Sequence, residues 1–481
     1  MKVLWLCNIM PPAAAECLGL EASNKEGWVS GLAQAVLAHQ GENGIALSMA
    51  FPVPGEMIPE GQEICSGTAS MEIPAGEGSA PSKASFSFYG FPEDVIHAEK
   101  YDARLEPVLK KIVHIAEPDI VHCFGTEYPH TLAMCRIFPR KDRILLGLQG
   151  LCSLLAEAYY ADLPDEVIRS VTFRDWLKKD SLRQQQQKFV LRGNREREAA
   201  GLAGNITGRT GWDRLHAGQW NPKAHYHAMN ECLRQEFYGP VWREDQCIPH
   251  SVFLSQGDYP LKGLHYMLYA MPEILEEYPD AKVYVAGNSI VEYGTWKQKL
   301  KISAYGKYLR SLMKRFSLEE KVVFLGKLDA GQMRDRYLKS SLFVCCSALE
   351  NSPNSLGEAM LLGMPCVTAR VGGVSSLFDD KADGIAYEGY RAAGDKKPEE
   401  KSFRGEESVR AFAGYSGGSR EKGQGSSLEE VSGRLAAAVL EMWGDPEKRQ
   451  AYSQNARRHA METHDRERNY RRLVEIYEEI L

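Results

Sequence analysis

The feature that most constrains the fold is an alternation of short apolar segments with helical segments, which occurs twice along the chain. In the first half, "VLWLCNI", "GIALSMAFP", "DIVHCFG" and "RILLGLQG" are typical of strands, whereas "EGWVSGLAQAVLAHQG" has helical spacing. A second series begins with "SVFLSQG" and continues through "AKVYVAG", "KVVFLG", "LFVCCS" and "PCVTA". Because strands connected by helices pair in parallel, this pattern predicts an α/β fold with two Rossmann-like, doubly wound domains.

The length of 481 residues also favours two domains over one core. We predict an N-terminal domain over residues 1–240 and a C-terminal domain over 241–461, joined at the connector Tyr238–His250. Ligands of such folds bind at the carboxyl ends of the strands, so the site is expected in a cleft between the two sheets. The last helix, within 462–481, is predicted to cross back to the N-terminal domain.

Composition narrows the class of protein further. Stretches rich in Gly, Ser and charged residues predict a surface insertion over about 54–84 and a disordered one over 389–427. The net charge of -6 gives no indication of a nucleic-acid partner. The longest apolar run falls short of the roughly 18 residues that a membrane span needs. Eleven cysteines without CxxC pairs predict buried free thiols and a cytoplasmic location.

The main candidate site follows the strand "LFVCCS", in the stretch "ALENSPNSLGEAMLLGMP". Glu350 lies just before a predicted helix and Glu358 lies inside it. Ser352 suits the N-cap, Pro353 suits the first helical position, and Gly363 suits the end. A helix that begins after a strand presents unbonded N–H groups to an anion.

The amides of Asn354, Ser355 and Leu356 are therefore candidates for binding a phosphate. A carboxylate at position 350 or 358 could accept strong hydrogen bonds from sugar hydroxyl groups. The alternative for Glu358 is a surface residue that gains ~0.3–1 kcal/mol from the helix dipole. On these residues alone, the two interpretations are equally supported.

The E-x7-E spacing after a buried strand, followed by "EAMLLGMPCVTARVGGV", resembles the donor site of retaining GT-B glycosyltransferases of family 4, also called glycosyltransferases group 1. The resemblance covers most of residues 250–388, with weaker features in "PDIVHCFG" and in a glycine loop near Gly27. It implies a nucleotide-diphosphate-sugar donor, with uridine as the first expectation for the base and guanosine as the second. It also implies that Glu350 contacts the donor sugar and Glu358 the ribose, with the helix N-terminus on the diphosphate.

The loop "SQGDYPLKG" carries Lys262 at a predicted helix start, where a cation is unfavourable unless an anion binds. The alternative is a solvated lysine. In the resembled family an Arg and a Lys six residues apart hold the diphosphate, and Lys262 matches the Lys. Gln256 stands at the Arg position, so either Gln256 binds the phosphate or another arginine does, for which Arg209 is the candidate.

The resemblance also marks an acceptor side. Many family members have a His after the strand "RILLGLQG", near the anomeric carbon, and Gln149 stands there in this chain. Glutamine can hydrogen-bond a sugar hydroxyl but cannot act as an acid or a base. Gly150 would allow an acceptor to approach the backbone. His122, inside the buried strand, is interpreted as a core histidine.

Metal and cofactor are not expected. Asp-x-Asp does not occur at a strand end, and Asp379 and Asp380 are predicted to face solvent. Lys262 and the helix amides would stabilise the leaving group instead.

From Arg169 to Arg214 the chain has eleven Lys or Arg against five Asp or Glu. This tract is either a solvated helical face or a contact for anionic lipid headgroups. The segment "GNITGRTGWDRLHAGQWNPKAHYHAMNECLRQEFYGP", which begins inside this tract and runs to residue 240, resembles a segment of a bacterial subgroup linked with surface polysaccharides.

The resemblance thus predicts a metal-independent hexosyltransferase that moves a sugar to a saccharide or lipid-linked glycan in polysaccharide biosynthesis. We expect it in the cytoplasm or peripherally at the inner face of the membrane, with contact through 169–214. Two alternatives stay open. One is a GT-B nucleotide-sugar epimerase. The other is a catalytically weak sugar-nucleotide-binding subunit of a partner transferase. The departures at Gln149 and Gln256 keep this alternative open, and the presence of Glu350, Glu358 and Lys262 argues against it.

Overall fold

A computed structural model of the protein describes residues 1–20, 27–73, 82–291, 300–392 and 426–481. The chain divides into two compact units. The first comprises Met1–Ser153, Lys188–Arg234 and His464–Leu481, and the second comprises Leu154–Gln187 and Gln235–Thr463. The predicted disorder over 389–427 lies almost wholly outside the described residues. The acceptor and donor roles that the sequence assigns to two domains stay predictions.

The first unit contains an eight-stranded sheet with the order β3-β4-β2-β1-β5-β6-β7-β8. All neighbouring pairs are parallel except β3 and β4. The strands are β1 Lys2–Cys7, β2 Ala46–Val53, β3 Cys65–Ile73, β4 Ser82–Pro92, β5 Ile120–Phe124, β6 Ile144–Gly147, β7 Asn205–Gly208 and β8 His225–Ala228.

Helices connect these strands and continue into the second unit. In chain order they are α1 Pro12–Cys17, α2 Gly27–Ala38, α3 Gln40–Asn43, α4 Leu105–Ala116, α5 Pro129–Ile137, α6 Cys152–Glu157, α7 Asp165–Arg169, α8 Phe173–Lys178, α9 Leu182–Leu202 and α10 Gly211–Trp220.

Strand β3 lies within the stretch 54–84 that the sequence predicts to be an insertion. It pairs antiparallel with β4 at the edge of the sheet, and Ala69, Met71 and Ile73 are buried on one face while alternate residues are exposed. An edge strand needs only one apolar face, so a composition rich in Gly, Ser and Glu concealed it. Residues 74–81 lie outside the described part.

The core of the first unit is closed by the helix formed from Arg466–Ile480. The buried Trp5 indole donates a hydrogen bond to the Tyr477 hydroxyl over 2.8 Å, and that hydroxyl lies 2.8 Å from Nδ1 of His122. Burial lowers the pKa of His122 to about 3, so its ring is neutral. The interpretation of His122 as a core histidine is therefore confirmed.

The second unit contains a six-stranded, fully parallel sheet with the order β11-β10-β9-β12-β13-β14. Its strands are β9 Ile248–Leu254, β10 Lys282–Val285, β11 Val322–Phe324, β12 Ser340–Cys345, β13 Cys366–Arg370 and β14 Ile385–Glu388. The remaining helices are α11 Leu264–Glu277, α12 Ala304–Arg315, α13 Ala330–Lys339, α14 Asn354–Leu361, α15 Leu428–Gly444, α16 Pro446–Thr463 and α17 Arg466–Ile480.

Two parallel-dominated sheets connected by helices confirm the predicted α/β architecture. Short apolar runs such as "SLFVC" are buried on both faces, as expected for central strands of a parallel sheet. Among the described residues, every helix is too short or too polar to cross a lipid bilayer.

Candidate functional site

Two of the predicted site residues meet in the second unit, at the carboxyl ends of the paired strands β9 and β12. Lys262 lies in the loop after β9, and Glu350 lies in the loop after β12. Their Nζ and Oε1 atoms are 2.6 Å apart, with side chains 23% and 14% exposed. The parallel pairing of the two strands therefore joins residues that are distant in sequence into one partly buried ion pair.

The loop that carries Lys262 is fixed by its contact with the end of β12. Gly263 has φ +72°, and a Cβ at this position would lie 1.9 Å from the carbonyl oxygen of Cys346. The Ala348 N–H also donates to the Leu261 carbonyl over 2.8 Å. Only glycine permits this approach, so the sequence "LKG" determines where the lysine lies. Lys262 precedes the N-cap of α11 and is not inside the helix.

The electrostatics of the pair keep the lysine charged. Burial alone would lower the pKa of Lys262, but the negative charge of Glu350 and its hydrogen bond outweigh burial, so the pKa is raised. The Ser347 hydroxyl donates to the same Glu350 oxygen over 2.7 Å. Lys262 therefore provides a fixed positive charge and is unsuited to act as a base.

The backbone of Glu350 is fixed by the glycine pair of "RVGGV". The Gly373 N–H donates to the Glu350 carbonyl over 3.0 Å. Gly372 has φ +52°, and a Cβ there would lie 2.1 Å from the same carbonyl oxygen. Neither the role of this glycine pair nor that of Ser347 was predicted from the sequence. The paired glycines just after the strand "PCVTA" were the signal available for the glycine pair.

Helix α14 begins at Asn354 with Pro353 as its N-cap, so the predicted N-cap at Ser352 and the predicted first helical position at Pro353 are each wrong by one residue. The reason is that the Pro353 carbonyl accepts the first hydrogen bond of the helix, from the Leu356 N–H over 3.0 Å. Leu356 thus already has an acceptor for its amide. Asn354 and Ser355 precede it at the N-terminal end of the helix, where the amides carry the positive end of the dipole.

The structure also tests the predicted end of α14 and the predicted exposure of Glu358. Gly363 ends the helix with φ +69°, and its N–H donates to the Met360 carbonyl over 2.8 Å. Glu358 is only 5% exposed. The alternative interpretation of Glu358 as a solvated surface residue is therefore wrong, whereas its assignment to a ribose stays a prediction.

Gln256 follows β9 but turns toward its own loop. Its amide nitrogen donates to Asp258 Oδ1 over 2.9 Å. In place of a second cation, this loop therefore has an amide hydrogen-bonded to a carboxylate.

The first unit contains the other predicted residues. Gln149 and Gly150 follow β6, and the Gly150 N–H donates to Glu127 Oε1 over 3.1 Å. The other oxygen of Glu127 accepts from Asn8 over 2.9 Å. Strands β1, β5 and β6 are neighbours, so the loops at their carboxyl ends form one hydrogen-bonded group around Gly150.

A second carboxylate fixes the continuation of the same loop. Glu196, on α9, is fully buried and accepts from the N–H groups of Cys152 and Ser153 over 3.2 and 3.1 Å. The Thr126 hydroxyl donates to it over 2.6 Å. Burial raises the pKa of Glu196 to about 7, in spite of the lowering effect of these hydrogen bonds. Sequence reasoning missed Glu127 and Glu196, because nothing local marks a carboxylate that holds a distant loop.

Arg209 follows β7 and forms a buried ion pair. Its guanidinium lies 2.7 Å from Glu231, and both side chains are less than one tenth exposed. Its charge is therefore compensated within the first unit, and its role at a diphosphate stays a prediction.

Gly27 is the first residue of α2. The loop that precedes it, over residues 21–26, lies outside the described part.

One group in the described part of the chain has the residue types of a metal site: Asp379, Asp383 and His459. Asp383 Oδ2 accepts from the Asp379 N–H over 2.8 Å and lies 2.6 Å from His459 Nδ1. These contacts are typical of a loop fixed to a helix. Asp380 is paired with Arg370 over 2.8 Å and is 29% exposed, so it faces solvent only in part. Metal independence stays a prediction.

The part of the chain that matches a known protein family lies in the second unit. Residues 250–396 match the family model described as "Glycosyl transferases group 1". The Bacillus subtilis protein YtcC, named as a glycosyltransferase, is 27% identical over 132 residues. That match covers 27% of this chain and 30% of YtcC, so the chain spans less than a third of this relative.

The whole chain is similar to solved structures. Sucrose-phosphate synthase from Thermosynechococcus elongatus has a TM-score of 0.61 at 11% identity, covering 100% of this chain and 99% of that one. The Anabaena protein HepE in complex with UDP-glucose has a TM-score of 0.58 at 14% identity, covering 100% of both chains. These similarities confirm the predicted GT-B fold. The family match includes both Lys262 and Glu350.

Proposed function

We propose that this protein is a retaining, family 4 hexosyltransferase that moves a sugar from a UDP-sugar to a saccharide or lipid-linked glycan in bacterial surface-polysaccharide biosynthesis. The observation that carries the proposal is the Lys262–Glu350 pair, with 2.6 Å between Nζ and Oε1, inside the segment that matches the glycosyltransferase family. The solved complex of HepE with UDP-glucose supports UDP as the nucleotide, because HepE shares the fold.

The first step of the proposed mechanism is donor binding. The ammonium of Lys262 neutralises charge on the diphosphate, and the amides of Asn354 and Ser355 donate to the same group. Glu350 accepts from a hydroxyl of the donor sugar, and Glu358 accepts from the ribose. The ion pair holds Lys262 and Glu350 in position before the donor arrives, so little rearrangement is needed on binding.

The second step is transfer with retention. Positive charge at Lys262 stabilises the departing diphosphate without any metal or cofactor, because the lysine stays protonated. Gln149 orients the acceptor by a hydrogen bond, and Gly150 leaves room beside the backbone. Since Gln149 cannot accept the acceptor's proton, an oxygen of the departing phosphate takes it on the same face of the sugar.

A second candidate function is a sugar-nucleotide-binding subunit with weak catalysis. The hydrogen bond from Gln256 to Asp258 favours it, because the family's second cation is replaced by an amide that is already engaged. The epimerase alternative predicts interconversion of nucleotide sugars without any acceptor. The binding subunit predicts donor affinity without turnover.

The test begins with a panel of nucleotide sugars in thermal-shift measurements. A donor at about 100 times its Kd should stabilise the protein by roughly 2.7 kcal/mol. Lys262→Ala should lose this stabilisation. Lys381→Ala is the matched control, since Lys381 forms an exposed ion pair with Glu441 over 2.8 Å in the same unit.

Each outcome assigns the function. Binding by wild type and by Lys381→Ala, with loss in Lys262→Ala, supports the donor site. Transfer to saccharide or lipid-linked acceptors by the stabilising donor then identifies a transferase. Conversion of the donor without acceptor identifies an epimerase. A wild-type protein that binds none of the nucleotide sugars contradicts the proposal.

The proposed location is the cytoplasm, with peripheral contact at the inner face of the membrane through residues 169–214. This contact would bring the protein to a lipid-linked acceptor.

A further inference from the structure

Four large apolar side chains are exposed within seven residues of the second unit. Val171 and Phe173 are each 57% exposed, Trp176 is 68% exposed and Leu177 is 64% exposed. The ring centroids of Phe173 and Trp176 lie 6.0 Å apart, so the two rings contact each other outside the core. In the rest of the described chain, at most two exposed large apolar residues adjoin in sequence, Val95 and Ile96.

The helix that carries these side chains is held firmly. Thr172 and Asp175 form a capping box at the start of α8. Asp175 also accepts from the Ala304 N–H over 2.9 Å, at the start of α12. Asp175 is 1% exposed, and Arg174 pairs with both Asp175 and Asp180. The exposure of the apolar side chains is thus built into a fixed element and does not reflect a loose end.

The same arrangement buries the one negative charge of this segment. Between residues 171 and 179 the only acidic residue is the buried Asp175. Lys178 and Lys179, in contrast, are exposed. We call residues 171–179 the docking tip. Its outward face combines aromatic and aliphatic side chains with two cations.

This combination fits an anionic lipid surface better than a protein. Trp and Phe favour the boundary between headgroups and acyl chains, and lysines are attracted to anionic headgroups. Lysine is depleted from the cores of protein interfaces. Charge complementarity therefore favours a bilayer.

Only part of the basic tract 169–214 is available to contact a membrane. Several arginines of the tract are engaged inside the protein: Arg174 with Asp175 and Asp180, Arg192 with the Glu127 carbonyl, Arg195 with the carbonyls of Ala98 and Glu99, and Arg209 with Glu231. The count of charges in the sequence overstates the cationic surface. The docking tip is a smaller and more apolar element than the whole tract.

We infer that the docking tip inserts Phe173, Trp176 and Leu177 into the headgroup region of a bilayer rich in anionic phospholipid. The inference rests on the proposed function for its purpose, which is access to a lipid-linked acceptor. The geometry that supports it lies wholly in the described residues of the second unit.

The test is co-sedimentation of the full chain with vesicles of phosphatidylcholine, with and without phosphatidylglycerol. Wild type should bind the mixed vesicles, and Phe173→Ser combined with Trp176→Ser should reduce the partition coefficient by roughly tenfold or more. Lys178→Glu combined with Lys179→Glu should reduce binding to the mixed vesicles similarly. Ile96→Ser, which removes an apolar side chain that is 82% exposed in the first unit, is the matched control and should bind like wild type.

Four results would overturn the inference: no vesicle binding by wild type, equal binding to both vesicle types, unchanged binding of the Phe173/Trp176 variant, or a wild-type dimer that this variant makes monomeric. Thermal shift with nucleotide sugars, measured on the same proteins, separates the two proposals. The docking-tip variants should keep the wild-type response. A chain that binds nucleotide sugars but not vesicles refutes only the docking tip, and a chain that binds vesicles but no nucleotide sugar refutes only the proposed function.

Discussion

The carboxyl edges of the two sheets are built from different chemistry. In the second unit, a protonated lysine and a carboxylate lie 2.6 Å apart beside the start of a helix. In the first unit, Glu127 and Glu196 accept hydrogen bonds from the backbone of the loop after β6, and the nearby Arg209 is neutralised by Glu231. The Lys262 ammonium is partly exposed beside Glu350, so it can still contact a diphosphate, whereas the Arg209–Glu231 pair is buried. An edge of carboxylates and amides suits neutral hydroxyl groups. The difference agrees with a donor edge and an acceptor edge in the proposed function.

The largest expected effect is at the second edge. Glu350→Gln keeps the shape of the side chain but removes the charge that holds Lys262. If the pair orients donor and leaving group, kcat should fall by about 100-fold or more, comparable to loss of one transition-state hydrogen bond. Steady-state kinetics with the identified donor measures this. Glu441→Gln, which removes the carboxylate of the exposed Lys381 pair, should leave kcat unchanged. Equal losses of kcat in Glu350→Gln and Glu441→Gln would show that the Lys262–Glu350 pair has no special role at its edge.

The second prediction concerns the first edge and pH. The folded pKa of Glu196 is about 7, raised by burial above the usual value of 4.5. The unfolded chain therefore loses this proton first as pH rises, and the stability of the fold falls between about pH 4.5 and pH 7 by up to about 3 kcal/mol. Urea unfolding of wild type and Glu196→Gln at several pH values measures the difference. The variant should lack this part of the slope, whatever its absolute stability. Parallel curves would show that folding does not raise the pKa of Glu196.

A smaller effect is expected from the glycine beside Glu350. Gly372→Ala should displace the Glu350 carbonyl and cost about 1–3 kcal/mol of stability, with a loss of donor affinity. Gly326→Ala is the matched control, because Gly326 also has a positive φ, +73°, but a Cβ there would have no neighbour within 4 Å. It should cost about 1–2 kcal/mol and leave donor affinity unchanged. Thermal unfolding without donor measures the cost of backbone strain in both variants. The same measurement with donor shows whether displacing the Glu350 carbonyl also weakens donor binding.

The smallest expected effect tests the missing cation. Gln256→Arg should raise donor affinity by about fivefold, the equivalent of about 1 kcal/mol for an added partly exposed charge. Gln256→Ala removes the hydrogen bond to Asp258 without adding charge, and its affinity should stay near wild type. Titration calorimetry with the identified donor gives both values. Weaker binding by the arginine variant would place the diphosphate away from this loop.

The sequence was informative wherever a local pattern had one physical solution. Parallel strands followed from runs such as "SLFVC", and the end of α14 followed from Gly363, because these depend on neighbours in the chain. The side chains that hold the site residues in place could not be predicted in this way, because most of them come from distant segments of the chain. The bond from Ser347 to Glu350 is local but indistinct among many Ser-Glu pairs, and the roles of Glu127 and Glu196 required the sheet order. Strand β3 was missed because a one-faced edge strand resembles a polar loop.

The helix α17 belongs to the first unit but is synthesised after the second, which affects the order of assembly. The hydroxyl of Tyr477 accepts the indole N–H of Trp5, and both side chains are fully buried in the first unit. On the ribosome, β1 emerges long before α17, and the whole second sheet is synthesised in between. Until α17 docks, the Trp5 N–H cannot donate to Tyr477, and the apolar face beneath the helix is open to solvent. The first unit to be made is therefore the last to be completed, and its exposure to chaperones and proteases during translation is set by the length of the second unit.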